Sequence, residues 1–212
     1  MNLEHPAIRV VQAVEIAEWI GFETRNKYRI TDEAGNPLGF AAEQQKGILG
    51  FLFRQFLGHW RPFSIHFFDN ARKLIWIGQH PFRIFFQRLE LFEAEGSRRI
   101  GAIQRRFSIL TKRFDVEDAN GNVLMEVASP IWRIWTFQFI RPKDGQEVAK
   151  LEKKWSGILT EAFTDKDRFR VEFKSTSVSA DERTLLMAAA VFVDLMYFET
   201  KGSGISLSDF GN

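Results

Sequence analysis

The feature that most constrains the fold is an apolar run near the C-terminus, LLMAAAVFVDLMYF, from Leu185 to Phe198. Ser179 and Glu182 have capping-box spacing, so we predict a helix over residues 181–200. Its apolar side chains cover every face, as in a helix surrounded by lipid or by protein. The run has 14 residues and contains Asp194, whereas a spanning helix needs about 20 apolar residues. We therefore favour a helix enclosed by the rest of the chain.

The remaining chain is predicted to supply that enclosure as β-hairpins. Five segments alternate apolar and polar residues on both sides of a short turn rich in Gly, Asn and Asp. The segments SGILTEAF and RFRVEF would add two strands, and VVQAVEIAEWIG is compatible with a helix or an outer segment. We predict about twelve antiparallel strands that close into a barrel around the C-terminal helix, because closure leaves no free sheet edge. No linker composition interrupts residues 1–212, which we interpret as one domain.

Composition and motifs exclude several classes of protein. The chain has a net charge of +2 and no cysteine, which gives no support for a strongly cationic nucleic-acid binder and excludes disulfides and cysteine-based metal sites. The N-terminus has no secretory signal pattern, so we expect a cytoplasmic protein. No G-x-S-x-G, P-loop or Rossmann glycine pattern occurs, and the four histidines lack metal spacing. We find no catalytic constellation, and the sequence leaves a protein partner unspecified.

The two ends of the predicted barrel differ in chemistry. The hairpin turns at one end carry Asp32, Glu33, Asp69, Glu93, Glu95, Asp118 and Asp144. The connections between hairpins at the other end, residues 46–63, 78–88, 105–114 and 128–137, contain basic and aromatic residues and no Asp or Glu. Loops normally prefer small polar residues. Basic residues attract anionic lipid, and Trp and Phe favour the headgroup boundary, so this end is predicted to face a membrane.

The residues predicted to bind anionic phospholipid are Phe53, Arg54, Phe56, Trp60, Arg83, Phe85, Phe86, Arg105, Arg106, Lys112, Arg113, Trp132, Arg133 and Trp135. Two alternatives remain open at this point. The segments can instead be strands whose aromatic side chains belong to the core. Basic and stacking residues also suit nucleic acid, but no recognition motif supports that interpretation, and no nucleic acid is expected.

One carboxylate pair begins the segment DKDRFRVEFKST. Asp165 and Asp167 have the spacing that opens a calcium loop, but Arg170 replaces the expected glycine and Thr176 the closing acidic residue. The segment RFRVEF alternates as a strand does. We therefore favour a turn followed by a strand, with calcium as the alternative.

Several segments together resemble the phospholipid scramblase family, which belongs to the tubby-like C-terminal superfamily. They are GFETRNKYRI, FAAEQ, RPFSIHFFDN, KKWSGILTEAFTDKDRFRVEF and AAAVFVDLMYFE, and they extend from about Val14 to Glu199 in the family's order. The resemblance implies a twelve-stranded barrel around a central C-terminal helix. It also implies membrane lipid binding and calcium-dependent movement of phospholipids between leaflets. The family's proposed calcium segment falls on Asp165, Asp167, Phe169, Val171 and Phe173, and Thr176 in place of the closing acid counts against calcium as a cofactor.

Animal members carry palmitoylated cysteine clusters where this chain has HPFRIFFQR and SPIWRIWTF. Aromatic and basic anchors in place of lipid anchors would give a weaker, reversible attachment. Together with the absent Pro-rich N-terminal region, this indicates a minimal, bacterial-type member. We predict a peripheral membrane phospholipid-binding protein, with lipid scrambling as the implied, non-covalent activity. The alternative is a soluble barrel that binds a protein or a small apolar ligand.

Overall fold

The computed structural model describes residues 1–13, 26–44, 62–95, 98–130, 132, 135–154 and 165–197, and for residues 165–167 the backbone only. The described part contains twelve strands and one long helix. In chain order these are β1 (Ala7–Ala13), β2 (Lys27–Asp32), β3 (Pro37–Gln44), β4 (Phe63–Asp69), β5 (Leu74–His80), β6 (Arg88–Glu93), β7 (Arg99–Arg106), β8 (Thr111–Asp118), β9 (Val123–Pro130), β10 (Thr136–Ile140), β11 (Glu147–Lys154), β12 (Asp165–Phe173) and α1 (Ala180–Tyr197).

The strands form a closed antiparallel barrel in which each strand pairs with its neighbours in the chain and β1 pairs with β12. This confirms the predicted mainly-β closed barrel of about twelve antiparallel strands. The strand that completes it is N-terminal: in β1, Ile8 and Val10 are buried while Arg9 between them is exposed. The sequence indicates a helix or an outer segment for VVQAVEIAEWIG. The first four residues of that segment, Val10 to Ala13, instead lie in strand β1. The predicted strand SGILTEAF lies outside the described residues.

Helix α1 fills the barrel. Its N-terminus has the predicted capping box, in which the Glu182 N–H donates to Ser179 Oγ at 3.2 Å and the Ser179 N–H donates to Glu182 Oε2 at 2.7 Å. Every residue from Thr184 to Met196 is buried, so all faces of the helix are enclosed, as the sequence predicted. The helix begins one residue before the predicted start, and the predicted final residues 198–200 lie outside the described part. No helix among the described residues combines the length and apolar character that crossing a bilayer requires.

One charged group is buried where the helix meets the barrel wall. Asp194 of α1 accepts a hydrogen bond from the Tyr28 hydroxyl at 2.9 Å. Its other carboxylate oxygen lies 3.9 Å from Lys153 Nζ, and both of these side chains are at most 3% exposed. The Lys153 ammonium also lies 5.4 Å from the centre of the Phe169 ring. Contacts from β2 and β11 therefore define the depth and rotation of the helix in the lumen.

The hairpin turns have the predicted chemistry. Gly35 and Gly121 adopt φ angles of 91° and 88°, in the left-handed region that favours glycine. In the β8–β9 turn the Asp118 carboxylate accepts hydrogen bonds from the backbone and the side chain of Asn122. The β2–β3 turn repeats this pattern between Asp32 and Asn36. These hydrogen bonds lower the pKa of both aspartates, since they favour the charged carboxylate.

Ion pairs engage some of the acidic residues at this end of the barrel. Arg98 contacts Glu93 at 2.7 Å and Asp181, in the first turn of α1, at 2.9 Å. Lys73 lies 2.9 Å from Glu95. Two of the acidic turn residues predicted from the sequence, Glu93 and Glu95, therefore have cationic partners beside them.

Gly101 permits the close approach of strand β8, and of the Leu185 side chain of α1, to strand β7. A Cβ at this position would collide with the Glu117 carbonyl oxygen and lie 3.0 Å from Leu185 Cδ1. We expect Gly101→Ala to lower the free energy of unfolding by about 1–3 kcal/mol, the usual effect of overpacking, measured by urea denaturation. Gly78→Ala is the matched control, because the added methyl group would meet only the flexible Leu89 side chain at 3.2 Å. Equal stability of the two variants would contradict this account of the packing.

Candidate functional site

The direction of α1 distinguishes the two ends of the barrel. The helix begins among the hairpin turns, where Asp181 pairs with Arg98. It ends at Tyr197 among the connections between hairpins, beside Arg105 and Lys112. We call this second region the basic-aromatic end and define its described residues as 81–87, 105–113, Trp132, Trp135 and Tyr197.

Large apolar side chains project into solvent from the connections at this end. Phe85 is 76% exposed, Phe107 73%, Ile109 78% and Trp132 71%. The interpretation of these aromatics as core residues of misassigned strands is therefore wrong for Phe85, Phe107 and Trp132. Exposed apolar patches of this kind mark binding surfaces in folded proteins. The other large exposed side chains here are Phe82, Ile84, Phe86, Leu110 and Trp135.

The predicted cations Arg105 and Lys112 lie on the ends of strands β7 and β8, not within the connection. They share the inner face of the barrel with buried Ile103 and Phe114, because side chains alternate along a strand. The Arg105 guanidinium lies 5.5 Å from the centre of the Tyr197 ring and Lys112 Nζ lies 5.1 Å from it. Two positive charges thus stand over the face of the Tyr197 aromatic ring, which attracts cations.

The neighbouring cations Arg106 and Arg113 project from the outer face of the same strands. Arg106 Nε lies 2.5 Å from Asp115 and Nη2 lies 3.2 Å from Glu117. Arg113 lies 3.8 Å from Glu126. These outer cations have carboxylate partners on the barrel wall. Arg105, by contrast, pairs with no carboxylate among the residues that the structure describes.

A cleft of about 400 Å³ opens between the β5–β6 and β7–β8 connections at this end. Its described lining contains five apolar residues, four cations and three hydroxyl groups, and none of these lining residues is acidic. They are Ile84, Phe85, Phe86, Phe107, Ile109, Arg105, Arg106, Lys112, Arg113, Ser108, Thr111 and Tyr197.

The hydroxyl of Tyr197 lies among these cations. Burial raises its pKa, and the nearby Arg105 opposes that change by favouring the phenolate. Because the net direction is upward from an ordinary value near 10, the hydroxyl is protonated at neutral pH. It can therefore donate a hydrogen bond. The hydroxyl groups of Ser108 and Thr111, whose oxygens are 2.5 Å apart, hydrogen-bond to each other at the rim, which leaves one hydroxyl hydrogen of the pair for a further acceptor.

The remaining predicted lipid-binding residues have different positions. Arg83 lies in the β5–β6 connection outside the cleft lining, where its carbonyl oxygen accepts a hydrogen bond from the Gln87 side chain at 2.9 Å. Phe53, Arg54, Phe56, Trp60 and Arg133 lie outside the described residues. The sequence-predicted set lacks six of the residues that line the cleft: Ile84, Phe107, Ser108, Ile109, Thr111 and Tyr197. A high local content of apolar residues in the connection was the available signal for Ile109, whereas Tyr197 belonged to the predicted core helix.

The residues considered for calcium lie in β12, whose backbone is extended and pairs with β1 and β11. Phe169, Val171 and Phe173 are buried, and Asp165 and Asp167 are described by their backbone alone. The strand predicted for RFRVEF is confirmed, whereas Asp165 and Asp167, predicted to lie in a turn before it, belong to the same strand. Among the described side chains, no group of three His, Asp or Glu residues could hold a metal ion.

These features define a class of protein: a closed antiparallel barrel around its C-terminal helix, with cationic and apolar side chains gathered at one end. A solved structure has the same fold, an X-ray structure of a protein from Arabidopsis thaliana. Its TM-score is 0.51 with 13% sequence identity, over 90% of this chain and 91% of that one. Residues 2–200 match the family model described as Scramblase, and the chain belongs to that family.

Named relatives agree with the family. The chain is 27% identical to human Phospholipid scramblase 1 over 209 residues, which cover 92% of this chain and 64% of the human protein. It is 26% identical to Phospholipid scramblase 2 of Bos taurus, over 90% of this chain and 68% of the bovine protein. It is 22% identical to Altered inheritance rate of mitochondria protein 25 of Saccharomyces cerevisiae, over 92% and 71% of the two chains. The matched region is thus shorter than two thirds of the human protein's length.

Proposed function

We propose that this protein is a peripheral phospholipid-binding protein whose basic-aromatic end contacts the anionic surface of a membrane. The observation that carries the proposal is the arrangement of exposed Phe85, Phe107 and Ile109 around the cations Arg105 and Lys112. Apolar side chains can enter the headgroup boundary while the cations remain level with the phosphates. The family's names associate its members with phospholipids, which supports this choice of partner.

The two kinds of side chain contribute through different forces. Burying a large apolar side chain is favourable by about 1.5–3 kcal/mol. Each basic residue near an anionic surface adds about 1 kcal/mol, and that part falls with salt. The cytoplasmic leaflet carries the negative surface potential, so we place the protein there, attached peripherally.

Scrambling would be a second property of the same end. Helix α1 fills the barrel with side chains that are fully buried from Leu185 to Val193, so a lipid has no route through the closed lumen. We propose that any movement of lipid between leaflets proceeds through perturbation of the bilayer beside the basic-aromatic end. Non-covalent movement of this kind needs no catalytic residue.

Vesicle co-sedimentation tests the proposed function. The protein is mixed with neutral or anionic liposomes, at low and high salt, with calcium or with a chelator. We expect sedimentation with anionic liposomes that weakens as salt rises, because the cations are screened. Dependence on calcium would support a site at Asp165 and Asp167 despite Thr176 at the closing position.

Two other outcomes would contradict the proposal. Binding that ignores both lipid charge and salt would favour a barrel that takes up a small apolar ligand. Absence of binding under every condition would favour a protein partner for the exposed apolar residues. Charge reversal at the opposite end of the barrel, by Lys143→Glu in the β10–β11 turn, should leave vesicle binding unchanged.

A further inference from the structure

Four large apolar side chains project from the connection between β5 and β6, residues 81–87. Phe85 is 76% exposed, and Phe82, Ile84 and Phe86 are about half exposed. The hydrophobic effect favours a conformation in which such side chains fold back against the barrel. The connection also lies outside the strand ladders on either side of it. Specific contacts must therefore hold it in its projecting conformation.

The conformation of this connection carries two unfavourable features. Phe86 has a φ angle of 54°, in the left-handed region that is sterically unfavourable for a residue with a bulky side chain. The buried Oε1 of Gln87 has no hydrogen-bond donor among the described residues, which is also unfavourable. Such features persist only where the surrounding structure imposes them, and they are concentrated at functional sites.

Two buried glutamine amides impose the conformation. Gln87, which is 1% exposed, donates from Nε2 to the Arg83 carbonyl oxygen at 2.9 Å and so closes the connection on itself. Gln104 of β7, which is 6% exposed, donates from Nε2 to the carbonyl oxygens of Phe86 at 2.8 Å and Arg105 at 2.9 Å. The bond from Gln104 therefore fixes the peptide group that follows the unfavourable φ angle of Phe86.

A charged network on the outer wall of the barrel orients the Gln104 amide. Arg88 lies directly opposite Gln104 in the β6–β7 ladder and donates from Nη1 to Gln104 Oε1 at 2.9 Å. The Nη2 group of Arg88 donates to Glu117 at 2.7 Å, and both of these side chains are at most 12% exposed. Because the guanidinium occupies Oε1, the amide nitrogen of Gln104 is directed at the connection.

We propose that Gln104 is a positioning residue for membrane contact, which holds residues 81–87 in the conformation that presents Phe82 and Phe85 to the bilayer. This inference rests on the proposed function, because the connection belongs to the end that contacts the membrane. Gln104 is buried and acts through the backbone of the connection. A connection that is ordered before binding avoids the loss of conformational entropy at the membrane.

The first experiment needs no membrane. Gln104→Glu keeps the size of the side chain and an acceptor for Arg88, so β7 should stay folded, but it removes the donor to Phe86. We expect trypsin to cleave the free protein after Arg83 at least tenfold faster, because two hydrogen bonds are lost. Cleavage after Lys73, in the β4–β5 turn at the opposite end, should be unchanged. Mass spectrometry identifies each cleavage site.

Vesicle binding then tests whether the conformation matters for the membrane. If about one molecule in five keeps the projecting conformation, Gln104→Glu should bind anionic vesicles about fivefold more weakly. Gln138→Glu is the matched control, because it adds the same charge at an exposed position of β10, opposite Lys150. This control should change vesicle binding and cleavage after Arg83 less than about twofold.

Two substitutions of half-exposed Phe86 test the same contact without altering the barrel wall. Phe86→Ile introduces a β-branched residue, which disfavours a positive φ angle, so cleavage after Arg83 should become faster. Phe86→Asn introduces a residue that tolerates this φ angle, so cleavage should become slower. Phe86→Asn should also restore part of the protection in Gln104→Glu. Both substitutions remove the ring, so its loss does not explain opposite effects.

Each result bears on a different statement. Unchanged cleavage after Arg83 in Gln104→Glu would overturn the positioning role. Faster cleavage with unchanged vesicle binding would overturn its importance for the membrane and leave the proposed function standing. Equally faster cleavage after Lys73 would show general unfolding, and with Arg83 still protected in Phe86→Ile it would contradict the inference. If the original protein does not bind vesicles, the proposed function fails, and the role of Gln104 in membrane contact fails with it.

Discussion

Replacing Phe85, Phe107 and Ile109 together with Gln is expected to weaken binding to anionic vesicles by about a thousandfold, at about 1.5 kcal/mol for each side chain withdrawn from the headgroup boundary. All three side chains are more than 70% exposed in the free protein, so the fold should be unaffected. The vesicle partition coefficient, measured by co-sedimentation over a range of lipid concentrations, gives the effect directly.

The residual binding of this triple variant should keep its salt dependence, because its cations are unchanged. Val123→Gln is the matched control: Val123 is 37% exposed and lies at the hairpin-turn end of the barrel. This control should bind as the original protein does. Triple-variant binding within about twofold of the original would show that these side chains remain outside the bilayer.

Replacing Asp194 with Ala is expected to lower the free energy of unfolding by about 3–5 kcal/mol, since it removes one partner of a buried ion pair. The Lys153 ammonium, in a side chain that is 3% exposed, would lose its neighbouring carboxylate. The Tyr28 hydroxyl would lose the acceptor that it contacts at 2.9 Å. Urea denaturation monitored by circular dichroism measures the change.

A double variant separates the ion pair from general packing. Asp194→Leu combined with Lys153→Met should recover most of the lost stability, because apolar residues of similar size often replace buried ion pairs at little cost. A loss below about 1 kcal/mol in Asp194→Ala would mean that this contact does not hold α1 in place.

The barrel and its central helix were predictable because their signals are periodic and local. Alternation in five hairpins, with glycines at the left-handed positions of the turns, indicated the strand pairs. Apolar residues on every face of α1 indicated its enclosure. Strand β1 was not predicted. Its side chains alternate between buried and exposed at Ile8, Arg9 and Val10, but the next residue, Val11, is also apolar and obscures this alternation in the sequence.

The candidate site was predictable in composition but not in arrangement. The absence of acidic residues from the connections, together with their aromatic residues, indicated the end of the barrel on which the candidate site lies. The position of each cation along its strand decides whether its side chain faces the lumen. In β7, Arg105 faces inward and Arg106 faces outward. The role of Tyr197 depends on where α1 stops relative to the barrel rim. These are tertiary relations that no local pattern specifies.

The depth of single spin labels in the bilayer tests whether the basic-aromatic end enters the membrane. The chain has no cysteine, so one introduced cysteine carries the only spin label. Ile109→Cys places it at the basic-aromatic end and Asn120→Cys places it in the exposed β8–β9 turn at the opposite end. With anionic vesicles, the label at position 109 should enter the bilayer and the label at position 120 should stay in water. A bound protein whose label at position 109 stays in water, or whose label at position 120 enters the bilayer, would contradict the account.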